Sequence, residues 1–290
     1  MNILEETKFI MKKYGISANK RLGQNFLIND DVVEKIITSA SINKEDLVLE
    51  IGPGLGTLTK PLLENAGKVI CIELDKRMME ILEDRFKLYD NFNLINEDVL
   101  KVDLQNLIKE NKNNGIKNVK VVANLPYYIT TPIIMKLLEE KLDIETITVM
   151  VQKEVADRLT AKPGEKYTGA ITYGVNYYTN PKRVCEVDKS FFLPAPEVNS
   201  TVIQLEVLKE PQIEVENQEL MFKIIKSSFM QKRKTLLNSL TNSGVFGTKD
   251  KIEKMLVDLQ ISPQIRPEQL TLEDFAKISN AINVEKKDTK

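Results

Sequence analysis

Residues 47–51 (LVLEI) form a short apolar run that breaks into Gly52-Pro53-Gly54-Leu55-Gly56 and continues from Thr57 as a helix-forming stretch. A buried strand, a glycine-rich turn and a helix N-terminus in that order leave few folds open. Pro61 is compatible with such a helix because it falls near the first turn. Further apolar runs at 68–74 (KVICIEL), 92–95, 119–123 and 146–151 (TITVMV) alternate with helical stretches, among them 132–140. Strands alternating with helices predict a parallel, doubly wound sheet.

The pattern changes after Gln152. Residues 155–159 and 170–178 read as helices around the polar loop AKPGEKYTG. Residues 183–187 and 200–207 are strand-like and are joined by DKSFFLPAPEVN, too short for a helical crossover, so an antiparallel arrangement is expected there. Five parallel units finishing in a hairpin outline the α/β, Rossmann-like sheet of a class I methyltransferase, parallel with an antiparallel last strand. Residues 208–217 (LKEPQIEVEN) read as a linker, and only helix signals come after it. Met221, Ile225, Phe229, Leu236 and Leu240 could share one helix face; Ile252, Met255, Leu256 and Leu259 form a second stripe, and Phe275, Ile278 and Ile282 a third. Two domains are expected: 1–207, with an N-terminal helical extension, and a small all-α C-terminal domain, 208–290. In that extension a helix at 3–14 stops at Gly15 and gives way to the loop ISANKRLGQNFLIND.

Composition removes several chemistries. The chain has no histidine and its two cysteines have no CxxC spacing, which excludes a structural zinc site, a His-based triad and a histidine base; no metal is expected. Cys71 and Cys185 both read as small buried hydrophobes. A net charge of −1 and a pI near 5.9 leave local patches as the only route to nucleic acid. No apolar run approaches membrane-spanning length, and MNILEETKFIMKK lacks signal-peptide features, so a cytoplasmic protein with no membrane partner is expected.

The glycines are spaced Gly-x-Gly-x-Gly (Gly52, Gly54, Gly56), unlike the Gly-x-Gly-x-x-Gly of dinucleotide binders. Glu73, at the end of the second strand, suits a ribose diol because one carboxylate can accept from both hydroxyls. Asp98, after the third strand, can accept from an adenine amino group. A glycine loop and two acids on successive strand ends fit an adenosyl ligand without pyrophosphate, and S-adenosylmethionine is the natural candidate. After the fourth strand, VVANLPYYIT (121–130) offers the Asn124 amide, free backbone carbonyls and an aromatic face to a planar base with an exocyclic amine.

The chain resembles the KsgA family of small-subunit ribosomal RNA adenine N6,N6-dimethyltransferases along nearly its whole length. The resemblance rests on RLGQNFLIND (21–30), LEIGPGLGTLT (49–59), CIELD (71–75), EDVL (97–100), ANLPYYITTP (123–132), VQKEVADRL (151–159), FLPAPEVNSTV (192–202) and QKRKTLLNSL (231–240). It implies that Asn25 and Leu27 close over the methionine end, that Gly52, Glu73 and Asp98 hold loop, ribose and adenine, and that Asn124 links cofactor and target base. The chain departs from the family at Tyr128, where asparagine is usual, and at Ala195, Glu197 and Asn199. Packing is the expected role of Tyr128. The implied activity is S-adenosylmethionine-dependent dimethylation of two adjacent adenosines in the 3′-terminal hairpin loop of 16S rRNA, in the immature 30S subunit, by a monomer.

On this reading Asn124 Oδ1 and the Leu125 carbonyl accept the two N6 hydrogens, Tyr127 stacks on the base and Phe192 covers its other face. In-line positioning and exclusion of water then supply most of the rate effect without a strong base. Lys20 and Arg21, Lys153 and Arg158 with Lys162 and Lys166, and Lys232, Arg233 and Lys234 are three basic clusters that could surround one cleft and track phosphates. The nearest rival is the sister family that dimethylates large-subunit RNA and confers antibiotic resistance; LGQNFL, QKRKTL and the long C-terminal region favour the small-subunit enzyme. A nicotinamide oxidoreductase is disfavoured by the glycine spacing and the missing histidine. An assembly factor acting mainly by binding is a third reading, and it is compatible with catalysis.

Overall fold

The computed structural model describes residues 1–19, 22–112, 115–231 and 233–288, without the side chains of 284–288. It groups into two compact units, Met1–Ala156 with Asn180–Val207, and Asp157–Thr179 with Leu208–Lys290. A single cut after residue 207 therefore differs from the packing, because 157–179 joins the C-terminal helices.

In the first unit, α1 (Ile3–Lys13) starts with a capping box: Asn2 Oδ1 accepts from the Glu5 N–H at 2.9 Å, and the Glu5 carboxylate accepts from the Asn2 N–H at 3.3 Å. Next come β1 (Phe26–Leu27), α2 (Asp30–Ala40), β2 (Asp46–Ile51), α3 (Thr59–Asn65), β3 (Lys68–Glu73) and α4 (Lys76–Phe86). These lead to β4 (Phe92–Asn96), α5 (Leu104–Asn111), β5 (Asn118–Asn124), α6 (Thr130–Glu139) and β6 (Thr146–Gln152). After α7 (Lys153–Leu159) and α8 (Ala170–Tyr178), the chain returns as β7 (Thr179–Val187), β8 (Phe192–Leu193) and β9 (Ser200–Val207).

The seven-stranded sheet has the order β4-β3-β2-β5-β6-β9-β7. Neighbours from β4 to β6 are parallel, and β9 inserts beside β6 in antiparallel register, from Thr146 opposite Glu206 to Gln152 opposite Ser200. Burial explains the apolar sequences: every residue of β2 is buried, and β5 and β6 are buried except at their ends. The edge strands β4 and β7 are only partly covered, which leaves Cys185 on β7 half-buried, in contrast to the fully buried Cys71.

α1 is held to α4 by charge. Arg85 donates both to the Glu6 carboxylate and to the Leu55 carbonyl of the glycine turn, while Lys13 Nζ and the Tyr14 hydroxyl both donate to Asp84. A second sheet pairs β1 with β8, Phe26 opposite Leu193 and Leu27 opposite Phe192. Two-residue strands carry no periodicity, so neither is readable as a strand from sequence.

In the second unit, α8 packs against α9 (Gln218–Phe229) and is grouped with α10 (Leu236–Asn242), α11 (Lys249–Asp258) and α12 (Leu272–Asp288). Tyr173 explains why 170–178 belongs here. Its buried hydroxyl lies 2.9 Å from the Pro267 carbonyl and 2.7 Å from that of Leu270, and its ring is edge-on to Phe275. The continuous helix face expected from Met221 to Leu240 is instead two helices. Arg233 takes a left-handed φ of 70°, and the Thr235 side chain accepts from the Asn238 N–H to start α10. No helix among the described residues is long and apolar enough to cross a membrane.

Gly56 has φ +84°, and a Cβ there would lie 2.5 Å from Phe86 Cε2 and 2.8 Å from Cζ. Its glycine is therefore required by the packing of α4 against the turn. Gly56→Ala combines overpacking with a strained backbone and should cost about 2 kcal/mol or more. A urea unfolding midpoint well below wild type is the expected result.

Candidate functional site

The strand order reverses between β2 and β5, so their carboxyl ends open the crevice where doubly wound sheets hold ligands. A cleft of about 990 Å³, open solvent at its mouth included, lies there. Its walls include Asn25, Leu27, Gly52, Gly54, Glu73, Asp98, Asn124, Leu125 and Tyr127, together with Gln24, Glu50 and Tyr128. The cofactor-side and base-side candidates thus share one crevice in the first unit, with two exceptions: Gly56, which packs against Phe86, and Phe192.

Glu73 ties the glycine turn to the end of β3. Its Oε2 accepts from the Gly54 N–H at 3.2 Å and its Oε1 from the Asp75 N–H at 2.8 Å. Each oxygen keeps a lone pair for a further donor, as a diol requires. Burial raises the Glu73 pKa above the ordinary carboxylate value, against the pull of these backbone donors. Asn96 Nδ2 donates to the Glu73 and Leu74 carbonyls and secures the same corner. Asp98 is half-buried and accepts from the Leu100 N–H at 3.0 Å.

Beneath the turn lies Glu50, only 1% exposed, a carboxyl in the middle of an apolar strand. Its Oε2 accepts from Thr59 Oγ1 at 2.6 Å and from Cys71 Sγ at 3.3 Å. Burial pushes its pKa up to about 7 and lifts the Cys71 thiol as well, which keeps that cysteine unreactive. A charged residue inside LVLEI was the available signal for this buried polar group.

At the end of β5, Asn124 Nδ2 donates to the Asn25 carbonyl at 3.0 Å. A carbonyl can only accept, so the amide nitrogen must face it and Oδ1 is left as the free acceptor. Among the described residues no donor bonds Asn124 Oδ1 or the Leu125 carbonyl. The arrangement can take two hydrogens from an exocyclic amine at one corner of the cleft. Tyr127 is half-buried, its hydroxyl 2.7 Å from Ser200 Oγ, and burial raises its pKa.

Two aromatic expectations are corrected. Tyr128 is 54% exposed on the cleft wall, and is therefore not a packing residue. Phe192 is 2% exposed within the core cluster; the Phe26–Leu27 segment closes over it, and burying such a ring is worth about 2 kcal/mol. Its ring does not reach the cleft wall.

The basic candidates fall in both units. Lys153 opens α7 in the first unit and pairs with Glu186 at 2.8 Å. Arg158, Lys162 and Lys166 are exposed in the second unit, as are Arg233 and Lys234 in the turn between α9 and α10. Lys20, Arg21 and Lys232 lie outside the described residues. Among the described residues no group of three His, Cys, Asp or Glu could hold a metal ion.

Residues 15–284 match the model of the family described as ribosomal RNA adenine dimethylase. The chain is 50% identical to the ribosomal RNA small subunit methyltransferase A of Lachnoclostridium phytofermentans, over 96% of each chain. It is 47% identical to the protein of that name from Clostridioides difficile, over 96% of this chain and 95% of that one. A dimethyladenosine transferase from Plasmodium falciparum superposes with a TM-score of 0.70 at 29% identity, over 87% of this chain and 95% of that one. The 23S rRNA methyltransferase ErmE shares the fold, with a TM-score of 0.64 at 23% identity over 89% of this chain and 100% of that one. A sheet of class I methyltransferase topology, a glycine turn beside a ribose-suited carboxylate and a family match across nearly the whole chain agree: this is a member of the ribosomal RNA adenine dimethylase family, an rRNA adenine dimethyltransferase.

Proposed function

We propose that the chain uses S-adenosylmethionine to dimethylate N6 of two adjacent adenosines in the 3′-terminal hairpin loop of 16S rRNA, in the immature 30S subunit. The observation that carries this reading is the shared crevice: a carboxylate suited to a ribose diol, Glu73, and an amide with an open acceptor, Asn124. Relatives named small subunit methyltransferase A support the choice of target. The protein is read as a cytoplasmic monomer.

When bound, S-adenosylmethionine supplies a methyl group on a good leaving group. Gly52 and Gly54 let the backbone approach it, Asn25 and Leu27 wall its methionine end, and Glu73 and Asp98 take the ribose hydroxyls and the adenine amine. Asn124 Oδ1 and the Leu125 carbonyl accept the N6 hydrogens and bias the nitrogen towards a localised lone pair. Tyr127 offers the stacking face. The second methylation needs only one hydrogen and one acceptor. The proton leaves after transfer, when the substituted nitrogen is acidic, so the absence of histidine is no obstacle. Lys20, Arg21, Lys153, Arg158, Lys232, Arg233 and Lys234 are read as phosphate contacts.

Mass spectrometry of rRNA after incubation of undermethylated 30S and 50S particles with the protein and S-adenosylmethionine tests the reading. Dimethyladenosine pairs in 16S rRNA are expected, and dimethyladenosine confined to the 50S particles would overturn it. In the same assay Asn124→Ala should lose about 100-fold or more in rate, the scale seen when a positioned transition-state contact is removed, while still binding the cofactor.

Cofactor affinity should also depend on pH. Only ionised Glu73 can accept from both hydroxyls, and its pKa in the free protein is raised. Binding therefore releases a proton, and affinity should climb with pH through that raised range and then level off. Titration calorimetry on wild type and Glu73→Gln would check this; the variant should bind weakly at every pH and lose the slope.

A further inference from the structure

We infer that Gln24 is a positioning residue: it fixes the segment whose Asn25 carbonyl sets the orientation of the Asn124 amide. The inference rests on the proposed methyltransferase function and deepens it.

An asparagine side chain can present either its oxygen or its nitrogen after a half-turn about its last bond. With Oδ1 towards the target amine, Asn124 accepts a hydrogen; flipped, it would offer a second donor and repel. The selection is made by the Asn25 carbonyl, 3.0 Å from Nδ2. Flipping would bring two oxygens together there and lose the hydrogen bond. That selection is only as firm as the carbonyl itself.

Asn25 sits between two anchors. Downstream, Phe26 and Leu27 pair with Leu193 and Phe192, and the Ile28 N–H donates to the Phe191 carbonyl at 2.9 Å. Upstream, the Gln24 side chain uses both ends of its amide: Oε1 accepts from the Asn19 N–H at 2.8 Å, and Nε2 donates to Asp75 Oδ2 at 2.9 Å. Asp75 is itself immobilised, capping α4 through the Arg77 N–H at 3.1 Å and receiving the Arg77 guanidinium at 3.0 and 2.5 Å. Asp75 also supplies the N–H that Glu73 Oε1 accepts. The corner that orders the ribose carboxylate thus holds, through one glutamine, the segment that orients the base acceptor.

Two readouts test this. With saturating S-adenosylmethionine and 30S particles, Gln24→Ala should slow single-turnover methylation about 10- to 100-fold, as expected of a displaced reacting group. Because Asn25 also walls the cofactor's methionine end, the cofactor Kd by calorimetry should weaken too, but the rate loss should persist at saturating S-adenosylmethionine. Independently of any activity, NMR of the free protein should show the Asn124 side-chain NH2 pair, assigned by its loss in Asn124→Asp, protected from exchange in wild type. In Gln24→Ala that protection should fall towards that of a solvent-exposed amide. Gln24→Met, close in shape but unable to bridge, should behave like Gln24→Ala and serves if the smaller residue unfolds the segment. An unchanged Asn124 signal, or a rate loss fully explained by weaker cofactor binding, would overturn the inference. If wild type failed to methylate while the NMR effect held, the functional reading would fall and the positioning role would stand.

Discussion

The Glu73 carboxylate is the contact on which the crevice depends. By accepting one N–H from the glycine turn and one from the start of the α4 corner, it joins two βα connections that no backbone ladder links. The sheet alone would deliver the ends of β2 and β3 side by side and leave the two turns beyond them unfixed. Desolvating a carboxylate is unfavourable, and the raised pKa reflects that cost. The backbone donors offset part of it, and the result is a group already held in place that gains from further donors. Glu50, one strand away, meets the same burial with a neutral solution: with a pKa near 7 it is largely protonated under mildly acidic conditions, and hydroxyl and thiol neighbours complete its bonding. Neighbouring strands thus carry one acid poised for a ligand and one absorbed by the fold.

Much of this was legible in the chain. The glycine turn, Glu73, Asp98 and Asn124 stand at the ends of apolar runs, and in a parallel sheet consecutive strand ends point to the same edge. The hidden part depended on which group covers which. Gly56 looked like a third ligand-facing glycine, but the ring that demands it, Phe86, is thirty residues away in the sequence on the far end of α4. Phe192 and Tyr128 exchanged their expected exposures: Phe192, paired through β8 with β1, lies in the core cluster, while Tyr128 is 54% exposed. Local composition cannot rank such alternatives, since both positions are aromatic and both come after strands.

The division into units was hidden for a related reason. Residues 157–179 precede two strands of the sheet, and sequence order assigns them to it. The Tyr173 hydroxyl decides otherwise, lying between two carbonyls of a turn almost a hundred residues later. One buried phenol with an acceptor in place outweighs chain proximity, because leaving that buried hydroxyl unpaired would cost about 1–3 kcal/mol.

The pairing of Phe26–Leu27 with Phe192–Leu193 has a consequence for synthesis. The segment emerges from the ribosome early, yet its partner strand is made only after most of the chain. Until Leu193 has emerged, the anchor downstream of Asn25 does not exist, and two apolar residues have no strand to cover. A chain interrupted before that point can complete β2 to β6 and still lack a finished crevice.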